Sequence, residues 1–242
     1  MKRFPHVRMV LLIATIVAYS LTVTAATLPS SARARSAIET LKPRMSSELQ
    51  DQGLRYGAPI FIRIFKEQAQ LELWIDGGDQ FTLFKTYEIC DFSGDLGPKL
   101  QTGDCQSPEG FYFVTPGQLN PTSRFHLSLN LGYPNAYDRH HGRTGSALMV
   151  HGACVSIGCY AMTNAGIEEI YTLADAAFRG GQSFFRVHIF PFRMTSESMQ
   201  DRLHSRWWDF WKNLKQGYDM FEEEWRPPNV EVNDGRYVFE AR

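Results

Sequence analysis

The sequence predicts a mainly β domain, a β-sandwich with flanking helices, followed by a C-terminal amphipathic helix. Three observations carry that prediction. Between residues 59 and 192 the chain reads as many short alternating runs of apolar and polar residues with one helical pattern among them, and so many short strands need two packed layers to bury their apolar faces. Turn-forming stretches such as Asp76-Gly-Gly-Asp79 separate the runs. From Thr195 onward the apolar period changes from two to three or four. These breaks divide the chain into residues 1–26, 27–58, 59–194 and 195–242.

Residues 1–26 read as a leader. Lys2, Arg3 and Arg8 precede an uncharged apolar run from Met9 to about Ala26. Val23-Thr-Ala25 has the small residues of a cleavage site, and Ala32-Arg-Ala34 is a weaker one. This is the pattern of a signal peptide, so the protein is expected to be exported. The alternative is an uncleaved inner-membrane anchor, for which the run is near the lower length limit. From Ser30 to Ala58, Ile38, Leu41, Met45 and Leu49 stand at helical spacing around Pro43, which predicts one or two short helices on the outside of the domain.

Strands are predicted at Pro59–Phe65, Ala69–Ile75 and Phe81–Cys90, the second and third joined by the Asp76–Asp79 hairpin turn. A long loop, Asp91–Glu109, follows, and loops of this length inside a compact domain are usually functional. Further strands are expected at Phe111–Thr115 and Phe125–Leu131, then a second long loop at Gly132–Ser146, and a strand Ala147–Val150 that delivers His151. Thr163 or Asn164 caps a helix along Ile167, Ile170, Tyr171, Ala174 and Phe178, which Gly180-Gly181 ends. Ser183–Phe192 is the last strand of the domain. Met199, Leu203, Trp207, Phe210, Trp211, Leu214, Tyr218 and Phe221 then predict one long amphipathic helix, and Val230–Phe239 a short hairpin-like tail.

Net charge is −1 and charged residues make up 21 % of the 242, so no basic face favours nucleic acid as a partner. The chemistry concentrates in Met149–Tyr160, where His151 stands eight residues before Cys159 with Gly152 and Gly158 between them. A thiolate is the nucleophilic form of cysteine, and a neighbouring imidazole can take its proton. Gly158 permits a tight turn, and the N–H groups of Gly158 and Cys159 are candidates to stabilise an oxyanion. Two other readings compete. Cys159 can be a small buried hydrophobe, or His151, Cys154 and Cys159 with His140 or His141 can supply four zinc ligands.

The run His151-Gly-Ala-Cys-Val-Ser-Ile-Gly-Cys-Tyr-Ala-Met-Thr163 resembles the active-site signature of the YkuD-type L,D-transpeptidases, and is closest to their YafK-like murein branch. Ser107-Pro-Glu-Gly-Phe111, Pro134-Asn-Ala-Tyr-Asp138 and Gly142-Arg-Thr-Gly-Ser146 extend the resemblance, which covers roughly Pro59–Met194. It implies a β-sandwich catalytic domain in the periplasm, Cys159 as nucleophile, His151 as base and Gly158 beside them, with no cofactor and no metal. It also implies a peptidoglycan stem peptide containing diaminopimelate as substrate. The reaction is then transpeptidation in cell wall biogenesis, or hydrolysis of a diaminopimelate-linked murein lipoprotein, which would be a second partner. A non-catalytic or zinc-stabilised wall-binding module is the rival. Arg143, Tyr133, Arg124 and Ser156 are the substrate-binding candidates. A backbone carbonyl is expected to orient the histidine ring, with Asp138 as the carboxylate alternative. The chain departs from the broad family in its short His–Cys spacing, in Ile157 where a second histidine is usual, and in Tyr160-Ala161 where an arginine is usual. With Cys159 kept as a free thiol in an oxidising compartment, Cys90 and Cys105 are the expected disulfide and Cys154 is left over.

Overall fold

A computed structural model of the chain describes Met1 and residues 27–241. The expected leader lies outside the described residues except for Met1, and among the described residues no helix is long and apolar enough to cross a membrane. In chain order the elements are α1 (Ala32–Asp51), β1 (Ile60–Phe65), β2 (Gln70–Asp76), β3 (Phe81–Glu88), β4 (Asp91–Phe92), β5 (Gly110–Val114), β6 (Leu119–Asn120), β7 (Ser128–Asn130), α2 (Ala136–His140), β8 (Met149–His151), β9 (Tyr160–Ala161), α3 (Asn164–Arg179), β10 (Phe185–Phe190), α4 (Ser196–Gln200), α5 (Trp208–Glu224), β11 (Asn229–Asn233) and β12 (Arg236–Glu240).

Two five-stranded mixed sheets form the domain, ordered β3-β2-β1-β10-β5 and β4-β9-β8-β7-β6. Each contains one parallel pair, β1 with β10 and β8 with β9, among antiparallel neighbours. Ile62, Ile64, Leu71 and Val187 of the first sheet share one core with Leu129, Val150 and Tyr160 of the second and with Ile167, Ile170 and Tyr171 of α3. The fold is mainly β with helices on its flanks, as the alternating pattern predicts.

α1 is a single helix. The Ser31 hydroxyl accepts from Ala34 N–H at 3.1 Å and caps it, and Pro43 lies inside it. Its buried residues Ala34, Ala37, Met45 and Leu49 join the main core, so packing holds the helix together across a proline that alone would break it. α3 is capped by Thr163, whose hydroxyl accepts from Gly166 N–H at 3.0 Å.

β4 and α2 form inside the two segments expected as long loops, and two further elements differ in extent from the sequence expectation. The Phe125–Leu131 strand shrinks to Ser128–Asn130, because His126 takes a left-handed φ of 72° that ends extended pairing. The single long C-terminal helix divides into α4 and α5, because the Ser205 hydroxyl accepts from Trp207 N–H at 3.1 Å and turns the chain before Trp208. Phe210, Trp211, Leu214 and Tyr218 of α5 then bury against Phe65, Phe190 and Phe192, with the β11–β12 hairpin beside them. The helix is therefore a packing element of a second core.

One buried charge pair ties this second core to the long loop. Lys66 Nζ lies 3.2 Å from Glu109 Oε1 with both side chains fully enclosed. The ammonium also donates to the carbonyls of Asp95, Gly97 and Ser107. Glu109 in turn accepts from Gly97 N–H at 2.6 Å and from Trp211 Nε1 at 2.9 Å. A buried pair persists only when its remaining hydrogen-bonding capacity is met, and here the loop and α5 meet it. The loop is thus fixed, not a floppy connection.

Candidate active site

β8 and β9 run parallel, with Val150 level with Tyr160 and His151 level with Ala161. Val150 and Tyr160 point into the core, so strand alternation turns His151 to the opposite face. Cys159 is the last residue of the connection, directly before β9, and the main chain at Met149 of β8 lies beside its thiol.

The connection between the two strands is only residues 152–159, short for a parallel pair. The chain reverses within it by taking left-handed conformations at Ala153 (φ 72°), Cys154 (φ 48°) and Gly158 (φ 135°). Such angles cost an alanine or cysteine roughly 1–2 kcal/mol each, and the surroundings hold them. Asn164 Oδ1 accepts from Ala153 N–H at 3.0 Å, Met162 O from Cys154 N–H at 3.3 Å, and Asp91 Oδ2 from Ser156 N–H at 2.7 Å.

A disulfide completes the brace, and it corrects the expected pairing. Cys90 is bonded to Cys154, with Cα atoms 5.3 Å apart, while Cys105 and Cys159 are free. The reason is strand order. β4 pairs with β9, Cys90 N–H donates to Ala161 O, and Cys154 N–H donates to Met162 O, so both cysteines meet at the same end of β9. Cys105 is exposed on the long loop in a left-handed turn of its own (φ 49°).

Cys159 is half-buried, and its thiol faces Ala147 O at 3.8 Å. Burial pushes the thiol above its ordinary value, opposed by a main-chain contact at Met149 and by the Lys99 ammonium. Its carbonyl accepts from the Ser156 hydroxyl at 2.9 Å and the Ser107 hydroxyl at 3.0 Å, which fixes the backbone under the sulfur. Gly158 N–H is already engaged with Ser156 Oγ at 3.1 Å.

His151 is buried and its ring stacks on Phe125, centroids 4.7 Å apart. Nδ1 donates to Gly152 O at 2.6 Å, the backbone carbonyl expected from the sequence. That bond assigns the tautomer and leaves Nε2 with its lone pair. Burial lowers the imidazole's proton affinity, opposed by the Gly152 contact and the Asp91 carboxylate. Burial thus favours the neutral form of both the thiol and the imidazole. Asp138, the alternative orienting group, is engaged elsewhere: its carboxylate accepts from Arg143 Nη1 at 2.8 Å, from Tyr112 at 3.0 Å and from Asn135 N–H at 3.1 Å.

The other candidates separate. Arg143 is buried in that Asp138 pair and stacked on Tyr137 and Phe210, so it braces the second loop. Tyr133 is buried, its hydroxyl donating to Lys99 O at 3.2 Å. Ser156 spends its hydroxyl on the turn that carries Cys159. Arg124 is exposed over the Phe125 ring at 5.7 Å, one ring away from His151. The residues proposed for zinc do not assemble, since Cys154 is in the disulfide and His141 meets Gly235 O. No group of three metal-ligating side chains occurs among the described residues. Phe125, Asp91, Lys99 and Ser107 around the site went unread in the sequence. Only Ser107 had a signal, its place in the Ser107–Phe111 segment.

A family model for the L,D-transpeptidase catalytic domain, YkuD, matches residues 59–189. The chain belongs to the YkuD L,D-transpeptidase catalytic domain family. It is 52 % identical over 182 residues, 75 % of its length, to the Escherichia coli K12 protein named "Putative L,D-transpeptidase YafK", of which it covers 74 %. Among solved structures, the helical cell shape determining protein Pgp2 of Campylobacter jejuni matches 78 % of the chain and 80 % of its own at 16 % identity, with a TM-score of 0.44. Bd1075 of Bdellovibrio bacteriovorus matches 69 % of the chain and 61 % of its own at 23 % identity, with a TM-score of 0.39. The residues matched by the family model contain the whole His151–Cys159 turn.

Proposed function

We propose that the protein is an exported cysteine acyltransferase that works on diaminopimelate-containing peptidoglycan stem peptides through a thioester on Cys159. The observation that carries the reading is a half-buried free thiol directly before β9, the strand paired with the β8 strand that ends in His151, whose Nδ1 is committed to Gly152 O and whose Nε2 is left as base. His151 Nε2 takes the thiol proton as Sγ attacks the substrate carbonyl carbon. Collapse of the tetrahedral adduct breaks the C–N bond, and the leaving amine takes that proton. An incoming amine then attacks the thioester, gives its proton to His151, and releases the thiol with a new amide. The Cys90–Cys154 bond supports an oxidising compartment such as the periplasm.

Hydrolysis is the second reading, with a murein-linked lipoprotein as substrate. It is favoured by Ile157, which is 84 % exposed beside Gly158 and leaves the nucleophile's rim open to water. One experiment tests both. The purified protein is given a tetrapeptide donor with an amine acceptor, and separately sacculi bearing lipoprotein, and products are read by mass spectrometry. New cross-links establish the transferase. Lipoprotein release without cross-links establishes the hydrolase. Neither product, with Cys159 unacylated in intact mass, overturns the reading.

A further inference from the structure

Residues 121–127 join β6 to β7 and form a strap with no helix or strand of its own. The strap grips the base twice. Phe125 stacks its ring on the His151 imidazole, centroids 4.7 Å apart and planes 28° from parallel. The Phe125 carbonyl also accepts from Gly152 N–H at 3.0 Å, a donor that the Leu127 carbonyl shares at 3.3 Å. Gly152 is the residue whose own carbonyl receives His151 Nδ1. The fit there is close. A Cβ on Gly152 would stand 3.0 Å from the His126 Cβ and 2.6 Å from Asn164 Oδ1, so only glycine lets the strap approach.

The strap is held from outside. Arg33 of α1 donates through Nη1 alone to the carbonyls of Ser123 at 3.2 Å and His126 at 2.6 Å, one on each side of Phe125. Ser31, the cap of α1, donates to Pro121 O at 2.8 Å. His126 takes its left-handed turn with Nε2 2.6 Å from Glu168 Oε1 of α3. Yet Phe125 is half-buried and stands outside the apolar cores of the described residues. Two helices fix the backbone around a ring that the cores do not use.

We propose that Phe125 is a positioning residue for His151, its face holding the plane of the imidazole, and that Arg33 acts through it by holding the strap. Resting on the acyltransferase reading, this keeps the Nε2 lone pair in one direction through both proton transfers. It also makes α1, which precedes the matched residues 59–189, part of the active-site apparatus. The ring acts on protonation in two opposed ways. A π face attracts a cation, and the same ring keeps water from the imidazole. Burial lowers the proton affinity of His151, so exclusion of water is the larger effect. The charged and titratable groups on the elements around it are Asp91, Cys159, Arg124 over the Phe125 ring, and the His126–Glu168 pair. All remain when Phe125 is changed.

The test reads the base directly. His151 is titrated by NMR in Cys159→Ala protein, its ring signal assigned by its loss in His151→Gln. Phe125→Ala is expected to raise the midpoint toward the ordinary imidazole value, and Phe125→Tyr to restore it. Arg33→Met should raise it in part, and Arg33→Lys should restore it, since one nitrogen serves both carbonyls. With Cys159 present, Phe125→Ala should slow acylation by the tetrapeptide donor at least about tenfold at saturation, with the half-saturating concentration within about twofold of the parent's. A ring that only packs would lower the melting temperature and leave the midpoint in place. A midpoint that does not rise in Phe125→Ala overturns the assignment, and if that variant does not fold, an unmoved midpoint in Arg33→Met overturns it. If the midpoints move as expected while wild-type Cys159 is never acylated, the positioning role stands and the acyltransferase reading falls.

Discussion

The sulfur of Cys90 is bonded to that of Cys154, five residues before the free thiol of Cys159. The bond crosses 64 residues and anchors the turn that reverses the chain between β8 and β9. Without reductant, a peptide map is expected to show Cys90 joined to Cys154 and both Cys105 and Cys159 alkylated. Cys154→Ser should lower stability by about 4 kcal/mol in the chain-entropy model, and lower the acylation rate of Cys159 more than it lowers the melting temperature would explain. A map joining Cys90 to Cys105 would refute the strand-order argument.

The thiol of Cys159 is raised by burial and partly relieved by Lys99. Its alkylation by iodoacetamide, followed in a Cys105→Ser background, should therefore climb with pH to a midpoint above that of an ordinary thiol. Lys99→Met should move the midpoint further up, because the ammonium favours the thiolate. A midpoint unmoved by that change would mean Lys99 does not act on the sulfur.

Breaking the Lys66–Glu109 pair should be severe. Lys66→Met leaves the Glu109 carboxylate enclosed without its cation and removes three loop carbonyls' donor. The expected loss is about 3–5 kcal/mol by chemical denaturation. Lys66→Met with Glu109→Gln should recover part of it, since the uncompensated charge is gone. A single variant as stable as the parent would show that the pair does not hold the loop.

Two histidines make the fold sensitive to acid. His188 lies among Phe61, Phe111 and Phe190 with neither ring nitrogen bonded, and burial depresses it well below its ordinary value; burial lowers His151 as well. Both stay neutral in the folded chain while the unfolded chain takes up protons below the ordinary value of 6.5. Stability is thus fully present above that pH and is lost as pH falls through it. Melting temperatures measured from about pH 7.5 to 5 should fall, and His188→Leu should flatten the slope. An identical slope in the variant would exclude His188 as the cause.

The sequence by itself determined what local periodicity and local chemistry determine. Alternation marked the strands of the first sheet, the three-to-four spacing marked α3 and α5, Thr163 and Asn164 marked a cap, and the His151–Cys159 run marked the candidate site. Each signal lies within a few residues of its consequence. The tertiary structure decided whatever depended on which segments become neighbours. Cys90 chose Cys154 over the nearer Cys105 because β4 pairs with β9. Arg143, which looked available to a substrate, was taken by Asp138 within a packed loop, and His151 gained a stacking partner in Phe125. Lys66, an isolated cation in the sequence, became the enclosed anchor of a loop some thirty residues on, because burial and pairing are fixed by packing across the core and leave no mark on local spacing.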